Sequence, residues 1–228
     1  MKLAVITIGQ SPRSDLTPEL AGILPAGTEL IEHGGLDGLD AAQIAALAPR
    51  TGEHAFTSRL RDGSSAIFGH DQSIPLVEQA IARGEADGAD LSLLVCSGEF
   101  PDVRHERPLF LVERLAHDGV RGLLSGLARG GGRLGVLSPL PEQVADAYGH
   151  WQQSIGVRPA AVGAASPYTD SAEAIATAAA EVATVSDLVV LDCIGYDEAM
   201  REAAVAACAD VPVVTVRSVA GRLLASML

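Results

Sequence analysis

A chain of 228 residues that is 48% hydrophobic and 20% charged can bury one large core or two smaller ones, which excludes a disordered protein. Its net charge of −13 repels nucleic-acid phosphate and anionic lipid, so neither a nucleic acid nor a membrane surface is expected as a partner. No apolar run reaches the roughly 20 residues that a membrane-spanning helix takes, and three cysteines without an export signal do not make a disulfide framework.

Residues 3–8 read as a first strand. The apolar start stops at Gly9-Gln10 with no cleavage-site pattern, as expected of a cytoplasmic protein. A polar loop follows, Gly9-Gln10-Ser11-Pro12-Arg13-Ser14-Asp15. Thr17-Pro18-Glu19 has the form of a helix start, with Thr as cap and Pro at the first helical position. Residues 28–32 form a second strand, closed by His33-Gly34-Gly35, and 40–48 a short helix ended by Pro49. Arg61-Asp62-Gly63 lies between two strand-like runs, 55–60 and 64–68. An Asp-Gly pair in that setting signals a β-hairpin, here inserted into a strand–helix pattern. A helix at 73–83 leads to a strand at 91–95. The proline-bracketed stretch 101–108 is a loop, 109–115 a short strand and 120–128 a helix. After a turn at Gly130-Gly131-Gly132, a strand at 133–137 runs into Ser138-Pro139. Helix 142–155, strand 157–163, an Ala-rich helix at 171–183, strand 188–192, helix 197–207, strand 211–214 and helix 218–227 complete the chain. Strands alternating with helices imply an α/β fold, with mostly parallel sheets covered on both faces.

Two stretches echo each other. LSLLVCSGE carries Cys96 at the end of an apolar run, and DLVVLDCIGY carries Cys193 at the matching place. Apolar runs of this length suit buried parallel strands, and ligands bind outside the carboxyl ends of such strands. A thiol with an ordinary pKa near 8.5 can serve as a base when positioned. A lone cysteine there would fit core packing equally well, but two at matching positions favour chemistry. Cys208, inside the Ala-rich VAACAD, reads as packing. In the first loop, Arg13 can grip a carboxylate with two parallel hydrogen bonds, and Gly9, Gln10 and Ser11 stand beside it; the bland reading is a surface turn with a solvated Arg. Ser97-Gly98 and Ile194-Gly195-Tyr196 follow the thiols and can offer backbone N–H groups. Ser138-Pro139 echoes Ser11-Pro12 after its own strand. Glu99, Asp102, Arg104 and His105 crowd the loop after Cys96, a pattern that fits a solvated loop and leaves a lid role open.

Other signals fail. Gly130-x-Gly132-x-x-Gly135 precedes a strand instead of following one, so it lacks the setting of a dinucleotide fingerprint. GxxxxGK[ST] and Gly-x-Ser-x-Gly are absent. The six His residues show neither HExxH nor paired Cys/His spacing, so no metal and no cofactor is expected.

TIGQSPRSDLTPEL, LVCSGEFP and LDCIGY, in that order, resemble the AroM family along the full length of the chain. That family is similar in turn to the aspartate/glutamate/hydantoin racemases. The resemblance implies two pseudo-symmetric flavodoxin-like lobes, 1–115 together with 211–228, and 116–210, each giving one cysteine to a shared cleft. It implies a cofactor-independent racemase or isomerase in which Cys96 and Cys193 act as acid and base. Gly9, Gln10, Ser11, Arg13, Ser97, Gly98, Ser138, Pro139, Ile194, Gly195 and Tyr196 would surround the substrate. The tails after the two cysteines depart from the Cys-Asn-Thr and Cys-Thr-His types of amino-acid racemases. The second is nearer to the Cys-Ala-Gly-Met of hydantoin racemases. A small carboxylate or a cyclic ureide is therefore the expected ligand. A covalent variant with one cysteine as nucleophile uses the same residues, and a binding protein without turnover is the main alternative. A homo-oligomer is compatible with all of these readings.

Overall fold

The computed structural model describes residues 1–129 and 131–228, in two compact units, Met1–Val112 and Glu113–Leu228. Gly130, part of the expected glycine turn and GxGxxG stretch, lies outside the described residues. The first unit runs β1 (Lys2–Thr7), α1 (Thr17–Ile23), β2 (Glu29–Gly34), α2 (Ala41–Ala45), β3 (Ala55–Arg59), β4 (Ser65–Gly69), α3 (His70–Ala86), β5 (Leu91–Leu94) and β6 (Leu109–Leu111). Its main sheet has the order β2-β1-β5-β6, with every pairing parallel. β1 and β5 are central, and Leu3, Ala4, Val5, Ile6, Leu93 and Leu94 are all buried. That is why both read as near-continuous apolar runs, broken in β5 only by the buried Ser92: strands covered on both faces have no polar side to alternate with. Full burial of each larger aliphatic side chain contributes about 1.5–3 kcal/mol. α3 lies close on β1, since a Cβ on Gly84 would stand 2.8 Å from that of Ala4.

The expected hairpin is present as antiparallel β3 and β4, in register from Ala55 opposite Gly69 to Arg59 opposite Ser65. Some boundaries differ from the sequence reading. The cap of α1 is Leu16, because the N–H groups of Leu16 and Thr17 both turn back to the Arg13 carbonyl before the helix begins. α3 begins at His70, directly off β4, and carries Pro75 inside it. The expected strand at 109–115 is a strand only to Leu111.

From Val112 the chain is helical, and α4 (Val112–Leu127) leads into the second unit. Val112, Ala116, Val120 and Leu124 are all buried, and their spacing of four residues is the period of a helix face. There follow β7 (Leu134–Ser138), a single 3₁₀ turn at Pro141–Gln143, α5 (Val144–Ile155), β8 (Ala161–Ala164), α6 (Ala172–Ala183), β9 (Leu188–Leu191), α7 (Glu198–Ala207), β10 (Val213–Thr215) and α8 (Val216–Ala225). The sheet order is β10-β9-β7-β8, again parallel throughout. Residues 211–228, expected with the first lobe, begin here with a strand hydrogen-bonded to β9. Ser171, Asp197 and Thr215 cap α6, α7 and α8 through their side chains, and Gly156 ends α5 in the left-handed region at φ 76°.

The two sheets repeat one topology. In each, the first strand lies second, its successor lies outside it, and the third and fourth follow on the other side. β5 and β9 are therefore equivalent strands, and Cys96 and Cys193 each follow one of them by two residues. Among the described residues no helix is long and apolar enough to cross a membrane.

Candidate active site

In the first unit Cys96 is buried, 6% exposed, just beyond the carboxyl end of β5. Ser97 and Gly98, both half-buried, make the turn after it. The turn is held by the hairpin: a Cβ on Gly98 would run into the Phe56 ring, and Phe56 stacks on Phe100 at 5.5 Å. His70 Nε2 lies 3.1 Å from the Glu99 carbonyl, so the start of α3 also anchors this segment. The inserted ribbon thus fixes the backbone that carries the thiol.

The loop after β1 is tied down at nearly every residue. The Gly9 N–H donates to Thr7 Oγ1 at 3.3 Å. Gln10 Nε2 donates to the Leu36 carbonyl, and its Oε1 accepts from the Arg61 N–H. Ser11 donates to Asp37 through both N–H and Oγ–H, each at 2.7 Å, and the Ser11–Pro12 peptide is cis. Arg13, expected to reach for a ligand carboxylate, is 2% exposed and forks onto Asp15, with Nε to Oδ1 at 2.8 Å and Nη2 to Oδ2 at 2.7 Å. Its Nη1 donates to Thr7 Oγ1 at 3.1 Å. Burial works to raise the Asp15 carboxyl, but the hydrogen bonds and charge of Arg13 outweigh it and hold the group below its ordinary value.

In the second unit Cys193 is buried, 4% exposed, beyond the end of β9. Two polar groups approach its sulfur. The Gly195 N–H points to Sγ at 3.4 Å, and the Tyr168 hydroxyl lies 3.8 Å from it. In the second contact either the hydroxyl or the thiol can donate. Tyr196 is fully buried, and its hydroxyl donates to the carbonyls of Ala165 and Ser138. It therefore ties the ends of β7 and β8 to the Cys193 turn. Burial, with Cys193 next, pushes its pKa well up, so the phenol stays protonated. Ser138 and Pro139 are buried at the end of β7. The Ile194 carbonyl accepts two hydrogen bonds from the buried Arg217, at 3.1 Å from Nε and 2.7 Å from Nη2. Asp192, one residue before the cysteine, accepts from Trp151 Nε1 at 2.9 Å, and burial pushes its carboxyl up to about 6.

Within each unit the residues singled out from sequence do gather at strand ends. Four that matter were not singled out: Tyr168, Arg217, Asp37 and Thr7. Tyr168 lies in a loop with no motif. Arg217 left one signal, a charge within the otherwise apolar opening turn of the final helix.

Gly195 is required where it stands. A Cβ there would lie 2.7 Å from two carbons of the Tyr168 ring and 2.8 Å from its oxygen. Gly195→Ala is expected to push Tyr168 off the sulfur and to destabilise the unit by about 1–3 kcal/mol, as overpacking does. Urea unfolding measures the second effect. The rate of iodoacetamide labelling at Cys193, read by mass spectrometry, measures the first and should change several-fold, because the ring that stands beside the sulfur has moved.

The model of the family described as AroM protein matches residues 3–228. The chain belongs to the AroM family. No match emerges among curated proteins. Solved structures give this AroM chain the fold of the racemases. Allantoin racemase from Klebsiella pneumoniae aligns with a TM-score of 0.62 at 18% identity, covering 100% of this chain and 87% of that one. Arylmalonate decarboxylase aligns at 0.62 and 18% identity, covering 100% and 92%. Picrophilus torridus aspartate racemase aligns at 0.59 and 11% identity, covering 99% and 95%. At such identities the likeness establishes the two-lobed parallel α/β fold.

Proposed function

We propose that this AroM family protein is a cofactor-independent racemase or isomerase that moves a proton on a small carboxylate-bearing molecule or cyclic ureide, with Cys96 and Cys193 as its acid and base. One observation carries the reading: the two thiols follow equivalent strands, β5 and β9, of two sheets with the same topology. The reading assigns one thiol to each face of the substrate. One thiolate takes the proton from the carbon beside a carbonyl, leaving enolate-like charge on the carbonyl oxygen. The other thiol returns a proton to the opposite face, and the two thiols end with exchanged protonation states. No redox partner takes part.

Ser97 and the N–H groups following each cysteine are assigned to the substrate carboxylate and the developing enolate. Arg13, Gln10 and Ser11 shape the loop beside them. The fold neighbours include proteins named for racemising allantoin and aspartate, and those names bracket a ureide and an acid.

The test is exchange of solvent deuterium into a panel of small chiral carboxylates and cyclic ureides, followed by NMR. Incorporation that disappears in the double Cys96→Ser/Cys193→Ser variant is the expected result. Incorporation undiminished in that variant would sink the reading. The tails after the two cysteines, which depart from those of amino-acid racemases, favour a second reading, a carboxylate-binding protein without turnover. On that reading a panel member raises the Tm of the wild type and of the double variant alike, with no exchange in either.

A further inference from the structure

The face of the second sheet opposite Cys193 carries a set of polar side chains that the thiol chemistry does not use. Cys193 packs with Leu191 among residues of α6 and α7. Asp192 turns the other way, to Trp151 of α5. Around that tryptophan stand Glu113 and His117, one turn apart on α4, and His150 on α5. Glu113 Oε1 lies 3.3 Å from Nδ1 of His117 and 3.6 Å from Nε2 of His150. One donor atom from each of the three residues lies within 4.8 Å of the others. Glu113 and His117 are buried, the latter 1% exposed, while His150 keeps 22% of its side chain open, with its Nε2 turned inward.

His117 Nδ1, the nitrogen that faces Glu113, also meets Ser154 Oγ at 2.6 Å, so an ion bound there displaces that hydroxyl. The rings are also held in place. Trp151 lies against His117 with centroids 3.8 Å apart, and the two imidazoles stand 5.0 Å apart. Held imidazoles and a carboxylate, arriving from two neighbouring helices, are what a metal ion needs to find ready-made.

We propose that Glu113, His117 and His150 bind one divalent transition-metal ion, with Zn2+ the best match. The donor set is two nitrogens and one carboxylate oxygen, of borderline softness, which suits Zn2+ and, by the same ligand chemistry, Co2+. Donors at about 2.0–2.2 Å from one tetrahedral ion stand about 3.3–3.6 Å apart. The two Glu113 separations fall at those values, and since the three donor atoms lie within 4.8 Å of one another, binding draws the two imidazoles closer together. Three protein ligands leave one position for water. The ion joins α4 to α5 behind the strand that carries Cys193. The motif is Glu-x-x-x-His with a distant His, which neither HExxH nor Cys/His spacing detects. The site is independent of the thiol reading and stands or falls separately from it.

The experiment uses the full chain with Cys96, Cys193 and Cys208 all replaced by serine, so that no thiol competes for the metal. The protein is loaded with ZnCl2, freed of excess ion by gel filtration and assayed by mass spectrometry of the elements. A parallel sample is loaded with Co2+ and read by its visible absorption. The expected result is about one ion per chain, with the intense visible bands of four-coordinate Co2+. Glu113→Gln and His150→Gln are each expected to weaken binding by more than the roughly 10–100-fold that loss of a supporting group costs. Both changes preserve size, and the second is at a partly open position, so folding is kept; circular dichroism checks it. No stoichiometric ion in the thiol-free chain, or retention unchanged by both substitutions, overturns the site.

Discussion

Replacing Cys193 by serine is expected to lower interconversion of substrate enantiomers by about 10²–10⁴-fold, the range that one positioned acid–base group contributes. A hydroxyl is far too weak an acid to rest as its anion near neutral pH, so the second base is lost while the site keeps its shape. The loss should be lopsided. With Cys96 left as the only base, one enantiomer can still exchange its proton with solvent on the face that Cys96 meets, while conversion to the mirror image fails. Cys96→Ser should show the opposite preference. Deuterium incorporation into each separate enantiomer, followed by NMR beside the racemisation rate, gives both readings. Equal residual exchange of both enantiomers in either variant would mean that the two thiols do not divide the faces between them. Cys208, which terminates α7 and lies in the core beside it, should be silent in both assays when changed to alanine.

Asp15→Ala is expected to cost about 3 kcal/mol, a large share of the roughly 5–15 kcal/mol by which domains are stable. It removes the carboxylate from a guanidinium that is 2% exposed. Breaking a buried pair typically costs about 3–5 kcal/mol, and the lower end applies because Asp15 keeps 19% exposure and water screens its side of the pair. Urea unfolding measures the loss. The pH dependence has a definite sign. The folded-state pKa of Asp15 lies below its ordinary 3.8, so the contribution of the pair is complete above that value and is lost as pH falls through the lowered one. Asp15→Asn should therefore flatten the acid limb of the stability profile and leave its slope near neutrality unchanged. The same substitution tests what Arg13 does. If Arg13 orders the loop, kcat and stability fall together. If its natural partner is a ligand carboxylate, releasing it from Asp15 should lower KM.

Much of the architecture was open to reading from residues alone. The apolar runs of β5, broken only by Ser92, and of β9 announced central strands, because a strand buried on both faces is apolar at nearly every position. Asp62-Gly63 announced the hairpin, because a tight reversal needs φ > 0, and Gly63 is found at φ 90°. The stretch after Leu109 misled because LFLVERL begins with residues that favour strands. The helix there is set by the four-residue spacing of Val112, Ala116, Val120 and Leu124, which shows only over a longer window.

The polar partnerships were not readable in this way. Arg13 looked like a hand held out to a ligand, yet it is buried against β1 with its fork filled by a residue two positions away. The hydroxyl beside Cys193 comes from Tyr168, in a loop without any motif. His150 comes to Glu113 and His117 only because α5 meets α4 through these side chains. Strand and helix alternation, the inserted hairpin and the duplicated cysteines are one-dimensional facts, since hydrophobic period and turn chemistry act between near neighbours. Which hydrogen-bond partner each buried polar group finds was decided by the tertiary fold, because such bonds act over about 3 Å and join segments whose approach no local pattern records.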